Sequence, residues 1–345
     1  MKSQFPESKG AAAYSNSIRW KLSWPWTIFW TLIAIELILW RQESQILINL
    51  LFWTICISIT LNALYLAFEA KVLAAFFRPY PKDEGGITDP NWNLVEFTGW
   101  GGDKPVGYFI PAKGVSKGLI LYIHGYSSSM ARAENRISHL SNQGFDVAGI
   151  DMRGHGRCSL TKDWTLLKVA ADIEAFLDII ITKYEELPKV HFYGHSMGGF
   201  LALRLAGRKS GWWEGQLDSV ILESAVSSIP EIIKLRVGSM WNLGRPLIRL
   251  IIRKEMKRIH PDLPITFWNA QIPQIGLPGI PVLTLQSKND SALGRTHYNI
   301  IKKHIPDDGE NQFHLISDLA HTTTLDSMTR RDLLEKWLSK RELIK

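Results

Sequence analysis

The sequence predicts an α/β fold with a mostly parallel sheet and flanking helices, preceded by a transmembrane helical hairpin. Two observations support this prediction: strand and helix patterns alternate over residues 92–345, and two long apolar segments occupy residues 24–68. Strands that alternate with helices are typical of parallel sheets joined by right-handed crossovers. The 345 residues leave room for one large domain and an appendage.

Charge and cysteine content exclude several classes of function. Lys and Arg exceed Asp and Glu by seven, 40 against 33. Because these charges form no block typical of a nucleic-acid-binding tail, we expect attraction to a membrane surface and no nucleic-acid partner. The only cysteines are Cys56, in an apolar run, and Cys158, after a predicted strand. We therefore expect neither a disulfide nor a metal site.

Two apolar segments follow an N-terminal tail at residues 1–23. The segments Trp24–Trp40 and Ile46–Phe68 are separated by a polar turn, and the second contains no charged residue. The first contains Glu36, and an acidic residue at the centre of a span costs about 2.5–3.5 kcal/mol on insertion. Residues 24–68 therefore predict a transmembrane hairpin, with a cleaved signal peptide or a buried globular hairpin as alternatives.

Basic residues on both sides of the hairpin predict its orientation, because they favour the cytoplasmic side of a membrane. Basic residues flank the two segments at Lys2, Lys9, Arg19, Lys21, Lys71, Arg78 and Lys82, whereas the turn contains only Arg41. We expect a multi-pass protein with two spans and both ends in the cytoplasm. Residues 69–91, rich in Pro, Gly and Asp at their C-terminal end, are predicted to be a linker to a domain at residues 92–345.

Periodicity predicts the elements of this C-terminal domain. Apolar runs predict strands at about residues 94–100, 105–111, 118–124, 145–151, 189–193, 219–223, 281–285 and 312–316. Helical patterns cover about residues 129–144, 163–184 and 327–342. A long insertion at about residues 230–280 separates the sixth and seventh strands.

The segment Gly194–Gly198 joins the fifth strand to a helix and has the pattern Gly-x-Ser-x-Gly. A serine on a sharp strand-to-helix turn needs a strained backbone, so the residues two before and two after it must lack bulk. Gly194 and Gly198 satisfy this requirement because glycine has no Cβ atom. The turn would expose the Ser196 hydroxyl at a helix N-terminus, where free N–H groups favour negative charge.

Three segments together resemble the monoglyceride-lipase and lysophospholipase branch of the α/β-hydrolase family, which is also grouped with the serine aminopeptidases. The matching segments are Ile123–Tyr126, Asp151–Gly156 and Gly194–Gly199. The resemblance extends from about Leu94 to the C-terminus. It implies an α/β-hydrolase fold whose insertion at about residues 230–280 is a lid.

Hydrolases of this fold order their catalytic residues as Ser, then Asp or Glu, then His along the chain. The resemblance therefore implies Ser196 as nucleophile, Asp290 as the orienting acid and His321 as the base. Two other carboxylates are rivals for the acid: Glu223, at the end of the sixth predicted strand, and Asp318, three residues before His321.

The resemblance also implies an oxyanion hole formed by the backbone N–H groups of Tyr126 and Met197. Asp151, Arg153 and His155 match a family segment and are expected to brace the loop beside the site. Cys158 stands where that segment has serine, which weakens any hydrogen bond there. His195, inside the turn, is expected to be structural.

Residues 244–258 form a basic amphipathic pattern within the insertion. Apolar residues recur on one helical face, and basic residues lie between them at Arg245, Arg249, Arg253, Lys254, Lys257 and Arg258. Such a helix commonly lies on an anionic membrane surface, but an ordinary lid helix with a solvated basic face fits equally well.

Together these features predict a membrane-anchored serine hydrolase that cleaves carboxylic esters with one long acyl chain, as in monoacylglycerols or lysophospholipids. The expected partners are a lipid or small ester and the membrane, and the chemistry requires no metal or organic cofactor. An aminopeptidase or amidase of the same fold is the alternative enzyme, and a catalytically silent membrane scaffold is the alternative from another class. Acyl-chain length, head group and oligomeric state stay open.

Overall fold

The computed structural model describes residues 29–33, 36, 45–76, 86–158, 166–208, 211–259, 267–321 and 326–343. These residues divide into two compact units. The first unit contains the described residues of Tyr80–Ile232 and Leu263–Lys345, and the second contains those of Ser8–Pro79 and Ile233–Asp262.

An eight-stranded sheet forms the centre of the first unit. Its strands are β1 (Asn93–Glu96), β2 (Val106–Ile110), β3 (Leu119–Ile123), β4 (Asp146–Asp151), β5 (Val190–His195), β6 (Leu217–Glu223), β7 (Val282–Ser287) and β8 (Gln312–Ile316). The strand order is β1-β2-β4-β3-β5-β6-β7-β8. Pairing is antiparallel at β1–β2 and β2–β4 and parallel between all other neighbours, which confirms the mostly parallel sheet.

Nine α-helices occur among the described elements with assigned bounds. They are α1 (Gln45–Phe76), α2 (Met130–Ile137), α3 (His139–Asn142), α4 (Leu166–Ile180), α5 (Met197–Ala206), α6 (Ile229–Val237), α7 (Met240–Ile259), α8 (Thr296–His304) and α9 (Met328–Leu343). Where the sequence predicts one helix over 129–144, α2 and α3 form separately. Ser129 caps α2, since its side chain accepts a hydrogen bond from the Arg132 N–H.

The central strands are mostly apolar because both sheet faces are covered. Every residue of β3, β4 and β5 is buried. Tyr122 and Tyr193, on adjacent strands, pack edge to face with ring centroids 5.2 Å apart. This rigid centre positions the C-terminal ends of β3, β5, β6 and β7, where the candidate site lies.

The second unit contains α1, which ends later than the sequence predicts. The expected span stops at Phe68 and is followed by a linker at residues 69–91, but the helix continues to Phe76. Residues 69–76 read Glu-Ala-Lys-Val-Leu-Ala-Ala-Phe, and alanine, leucine, glutamate and lysine are strong helix formers. The predicted start of the linker is therefore wrong by eight residues.

Among the described residues, Asn49–Val72 is the one helical segment long and apolar enough to cross a membrane. Only 6% of an 18-residue apolar stretch within it is buried. Large apolar side chains are exposed along it, including Trp53 (62% exposed) and Leu61 (60%). Of the first predicted span, Trp24–Trp40, only residues 29–33 and Glu36 are described, and they are helical. Most of that prediction lies outside the described residues.

Helix α7 groups with α1 in the second unit. The Phe68 ring lies where a side chain on Gly244 would project, so the absence of a Cβ atom allows the two helices to approach closely. Ile248, Ile251 and Ile252 are buried on α7. Its basic residues Arg245, Arg249 and Arg253 are exposed, so the described part of the predicted pattern is amphipathic.

Candidate active site

The turn between β5 and α5 places Ser196 in a strained backbone conformation. Ser196 has φ of 53° and ψ of −117°, in the positive-φ region that side chains disfavour. A Cβ atom on Gly198 would collide with the carbonyl oxygen of Ile123 on β3, and one on Gly194 would collide with that of Gly198. Both glycines are therefore required by packing, for the steric reason that the sequence pattern indicates.

The structure brings Ser196, His321 and Asp290 into one hydrogen-bonded chain. The Nε2 atom of His321 lies 3.0 Å from the Ser196 Oγ atom. The Nδ1 atom of the same ring lies 2.9 Å from the Asp290 Oδ2 atom. Because a carboxylate only accepts, Nδ1 carries the ring proton and Nε2 is left to accept the serine hydroxyl proton.

Four donors hold the carboxylate of Asp290 in place. Oδ2 accepts from His321 and from Gln286 Nε2, which is 2.9 Å away. Oδ1 accepts from the backbone N–H groups of Ala292 at 2.9 Å and Leu293 at 2.8 Å. Burial alone would raise the pKa of Asp290, but these hydrogen bonds from His321, Leu293 and Ala292 lower it to about 2. The group is therefore ionised and fixed near neutral pH.

The loop after β3 approaches the serine closely. A Cβ atom on Gly125 would lie 3.0 Å from the Ser196 Cβ atom. Gly125 and Tyr126 line one pocket together with Ser196 and His321. Met197 is the first residue of α5, and the first N–H groups of a helix have no intrahelical acceptor. Tyr126 thus lines the same pocket as Ser196, and Met197 follows Ser196 directly at the start of α5.

Two buried histidines hold this loop. His124 Nε2 accepts from the Met152 N–H at 2.9 Å, so its Nδ1–H donates to the Gly125 carbonyl at 2.7 Å. His155 Nε2 accepts from the Ser127 N–H at 3.2 Å. Burial lowers the pKa of His124 to about 4 and that of His155 to about 3, which keeps both rings neutral and able to accept.

The other predicted bracing residues also make buried contacts. Asp151 Oδ1 accepts from the Met130 N–H at 2.7 Å, where α2 begins. Arg153 forms a bidentate ion pair with Asp172, at 2.7 and 2.6 Å. Cys158 is a free thiol whose Sγ atom lies 2.9 Å from the Asp151 carbonyl oxygen. Among the described residues, no cluster of His, Cys, Asp and Glu has the arrangement of a metal site.

Comparison with known proteins agrees with this architecture. A family described as "Serine aminopeptidase, S33" matches residues 114–274. Protein phosphatase methylesterase 1 of Candida albicans is 30% identical over 99 residues, 28% of this chain and 27% of that protein. The Escherichia coli K12 protein YfhR is 30% identical over 169 residues, 47% of this chain and 57% of YfhR. The matched segments thus span less than two thirds of either relative.

A solved structure shows the same fold. The Pyrococcus furiosus esterase Pf2001 superposes with a TM-score of 0.54 at 18% identity, over 76% of this chain and 99% of the esterase. The family match, the sheet order and this superposition agree. The chain has an α/β-hydrolase fold.

The two rival carboxylates lie elsewhere. Glu223 is fully buried, and its carboxylate binds Arg136, Arg330 and Tyr193. Asp318 accepts hydrogen bonds from the Ser327 hydroxyl at 2.9 Å and from the Thr329 N–H at 3.3 Å. Asp290 is the carboxylate that the structure places against His321.

Sequence reasoning missed how the loop that carries His321 is held. The Nε2–H of His195 donates to the His321 carbonyl oxygen at 2.9 Å, and the Ser287 hydroxyl donates to the Leu319 carbonyl oxygen at 2.6 Å. Burial, together with the nearby charge of Arg136, lowers the pKa of His195 to about 3. His195 lies within the sequence motif, but its contact is 126 residues away along the chain, so no local pattern could reveal it.

Because several histidines are buried as neutral rings, we expect the stability of the fold to decrease in acid. Each titrates near pH 6.5 in the unfolded chain but near 3 to 4 when folded, so the unfolded state binds more protons between these values. Their stabilising contribution is complete above pH 6.5 and falls as the pH drops toward 4, by about 1.4 kcal/mol per pH unit for each histidine. We expect the Tm in detergent to fall markedly between pH 7 and pH 5.

A histidine variant provides the control for this effect. His155→Gln removes a group that binds a proton on unfolding, so its Tm should depend less on pH than the wild-type Tm does. A wild-type Tm that is constant from pH 7 to pH 5 would contradict the assignment of neutral buried rings.

Proposed function

We propose that this protein is a serine carboxylic-ester hydrolase with Ser196 as nucleophile, His321 as base and Asp290 as orienting acid. The observation that carries the proposal is the bridging position of His321, 3.0 Å from the Ser196 hydroxyl and 2.9 Å from Asp290. Hydrogen-bonded contact of nucleophile, base and orienting acid is the arrangement that acyl transfer requires.

The chemistry proceeds in two acyl transfers. Nε2 of His321 takes the Ser196 proton while Oγ bonds to the substrate carbonyl carbon, and Asp290 stabilises the imidazolium that forms. The N–H groups of Tyr126 and Met197 receive the negative charge on the tetrahedral oxygen. His321 then protonates the leaving alcohol, and the same steps with water release the acid and restore Ser196.

We further propose that the substrate carries one long acyl chain, as a monoacylglycerol or lysophospholipid does. The motif resemblance to that branch of the family supports this substrate class. The apolar helix Asn49–Val72 supports it as well, because an enzyme at a bilayer meets amphiphiles that are dilute in water. Two similar proteins, the Candida methylesterase and the Pyrococcus esterase, bear names of ester-cleaving enzymes.

An aminopeptidase or amidase is the second candidate function, favoured by the description of the matching family as serine aminopeptidase. The same three side chains serve amide and ester cleavage. Activity of the purified protein against a panel of esters and aminoacyl amides distinguishes them. Ester turnover should exceed amide turnover, whereas an amide preference would select the second candidate.

Substitution of the three residues tests the mechanism. Ser196→Ala and His321→Ala should each lower kcat on a short water-soluble ester by at least about a thousandfold, because loss of either member removes the nucleophile or its base. Asp290→Asn should be nearly as severe, because the amide no longer holds the imidazole in the required tautomer.

A neighbouring carboxylate supplies the control. Asp318→Asn, which alters hydrogen bonds to Ser327 and Thr329, should leave kcat within a factor of two. Retention of more than a tenth of wild-type kcat in His321→Ala would overturn the assignment of the base. The silent-scaffold alternative would be favoured by a wild-type protein with no activity on the panel.

We propose that α1 forms part of a two-span anchor with the hydrolase unit in the cytoplasm. The exposed apolar side chains of α1 and the basic residues on both sides of residues 24–68 support this topology. A basic amphipathic helix such as α7 is suited to contact anionic headgroups, which would admit lipid substrates from the bilayer.

Reporter fusions test the topology. A reporter fused to the C-terminus should be cytoplasmic, because both ends of a two-span protein lie on the same side. The same reporter inserted after Ser44, in the turn, should lie on the opposite side. A C-terminus found outside the cytoplasm, or both reporters on one side, would contradict two spans.

A further inference from the structure

We infer that Glu223 is a positioning residue that fixes two loops relative to the nucleophile: the loop after β3 that carries Gly125 and Tyr126 (the oxyanion loop) and the loop that carries His321. The inference rests on the proposed function. Glu223 is the last residue of β6 and is fully buried. Three side chains from three other elements converge on its carboxylate: Arg136 of α2, Tyr193 of β5 and Arg330 of α9.

The first connection reaches α2, the helix that follows the oxyanion loop along the chain. Arg136 Nη1 donates to the Glu223 Oε1 atom, and both side chains are at least nine-tenths buried. Arg136 lies on α2, which begins four residues after Tyr126. The ion pair therefore fixes α2, and through it the backbone that carries the Tyr126 N–H, to the strand beside the nucleophile.

The second connection reaches α9, the helix that follows His321 along the chain. Arg330 Nη1 lies 3.6 Å from the Glu223 Oε2 atom and donates to the Tyr193 hydroxyl at 3.0 Å. It also donates to the Arg136 carbonyl oxygen at 3.1 Å. Arg330 lies in the first turn of α9, the helix that follows the His321 loop. Both arginines thus meet at one carboxylate.

The backbone of Glu223 contacts the nucleophile directly. Its carbonyl oxygen accepts from the Ser196 N–H at 3.0 Å, and Glu223 pairs with His195 across the β5–β6 register. The carboxylate that binds α2 and α9 therefore belongs to the residue that also holds the strained turn. A shift of this side chain would be transmitted to all three parts of the site.

Electrostatics explains why such a cluster indicates positioning. Burial would raise the pKa of Glu223, but Arg136 and Arg330 lower it to about 2, so the group is ionised. A buried ion pair is weak grounds for stability, because well-packed apolar residues commonly stabilise a fold as much. Its donors and acceptors do, however, require one geometry, as supporting residues of a catalytic site must.

A matched pair of variants separates positioning from stability. Glu223→Gln removes the charge at the end of β6 near Ser196. Asp218→Asn removes an ion pair between the same strand and the same helix at the other end of β6, where Asp218 Oδ2 lies 3.0 Å from Arg341 Nε. Both variants should lower the Tm of the full-length protein.

The expected kinetic results differ. On a short soluble ester, Glu223→Gln should lower kcat at least tenfold with KM within twofold of wild type, because the reacting groups lose alignment. Asp218→Asn should keep kcat within twofold. A wild-type kcat in Glu223→Gln, or equal losses in both variants, would overturn the positioning role. If Ser196→Ala were still active, the proposed function would fail instead.

If Glu223→Gln does not fold, a milder variant tests the same inference. Tyr193→Phe keeps the ring in the core and removes the hydroxyl that donates to the same carboxylate and accepts from Arg330. We expect kcat to fall at least threefold with KM unchanged. A wild-type kcat in this variant would also overturn the inference.

Discussion

The candidate site depends on how closely the turn after β5 packs against β3. The Gly198 Cα atom lies so near the Ile123 carbonyl that no side chain fits, and this approach holds Ser196 at positive φ. Such strain costs on the order of 1–3 kcal/mol and persists only when surrounding packing fixes it. The fully buried strands β3 and β5 supply that packing. The same approach brings the Gly125 backbone to the serine.

Around this turn, the buried carboxylates and the buried histidines differ in charge. The carboxylates of Asp290 and Glu223 are buried and ionised, each held by several donors, whereas His124, His155 and His195 are buried and neutral. Neutral rings can accept hydrogen bonds from backbone N–H groups, which fixes loops without adding a positive charge that would compete with His321. The site thus combines fixed negative charge at the acid with uncharged supports at the loops.

The sequence predicts the parts of this site that depend on local sterics or on chain order. The Gly194 and Gly198 spacing predicts the turn, and the order of elements places Asp290 and His321 after β7 and β8, where the structure brings them together. The Arg136–Glu223 pair joins residues 87 apart, and no periodic pattern encodes such a contact. The sequence prediction ended this helix too early, at Phe68. The residues after Phe68 are less hydrophobic, but they are strong helix formers, so the helix continues. The grouping of α7 with α1 depends on Gly244 facing Phe68, which is likewise a tertiary contact.

The central claim is that Ser196 is activated by His321 to attack a carbonyl carbon. Treatment of the full-length protein with a fluorophosphonate, followed by peptide mass spectrometry, tests it most directly. We predict one covalent adduct on the peptide that contains Ser196, absent in Ser196→Ala and formed much more slowly in His321→Ala. Absence of an adduct on the wild-type protein, or an adduct on another residue that persists in Ser196→Ala, would contradict the account.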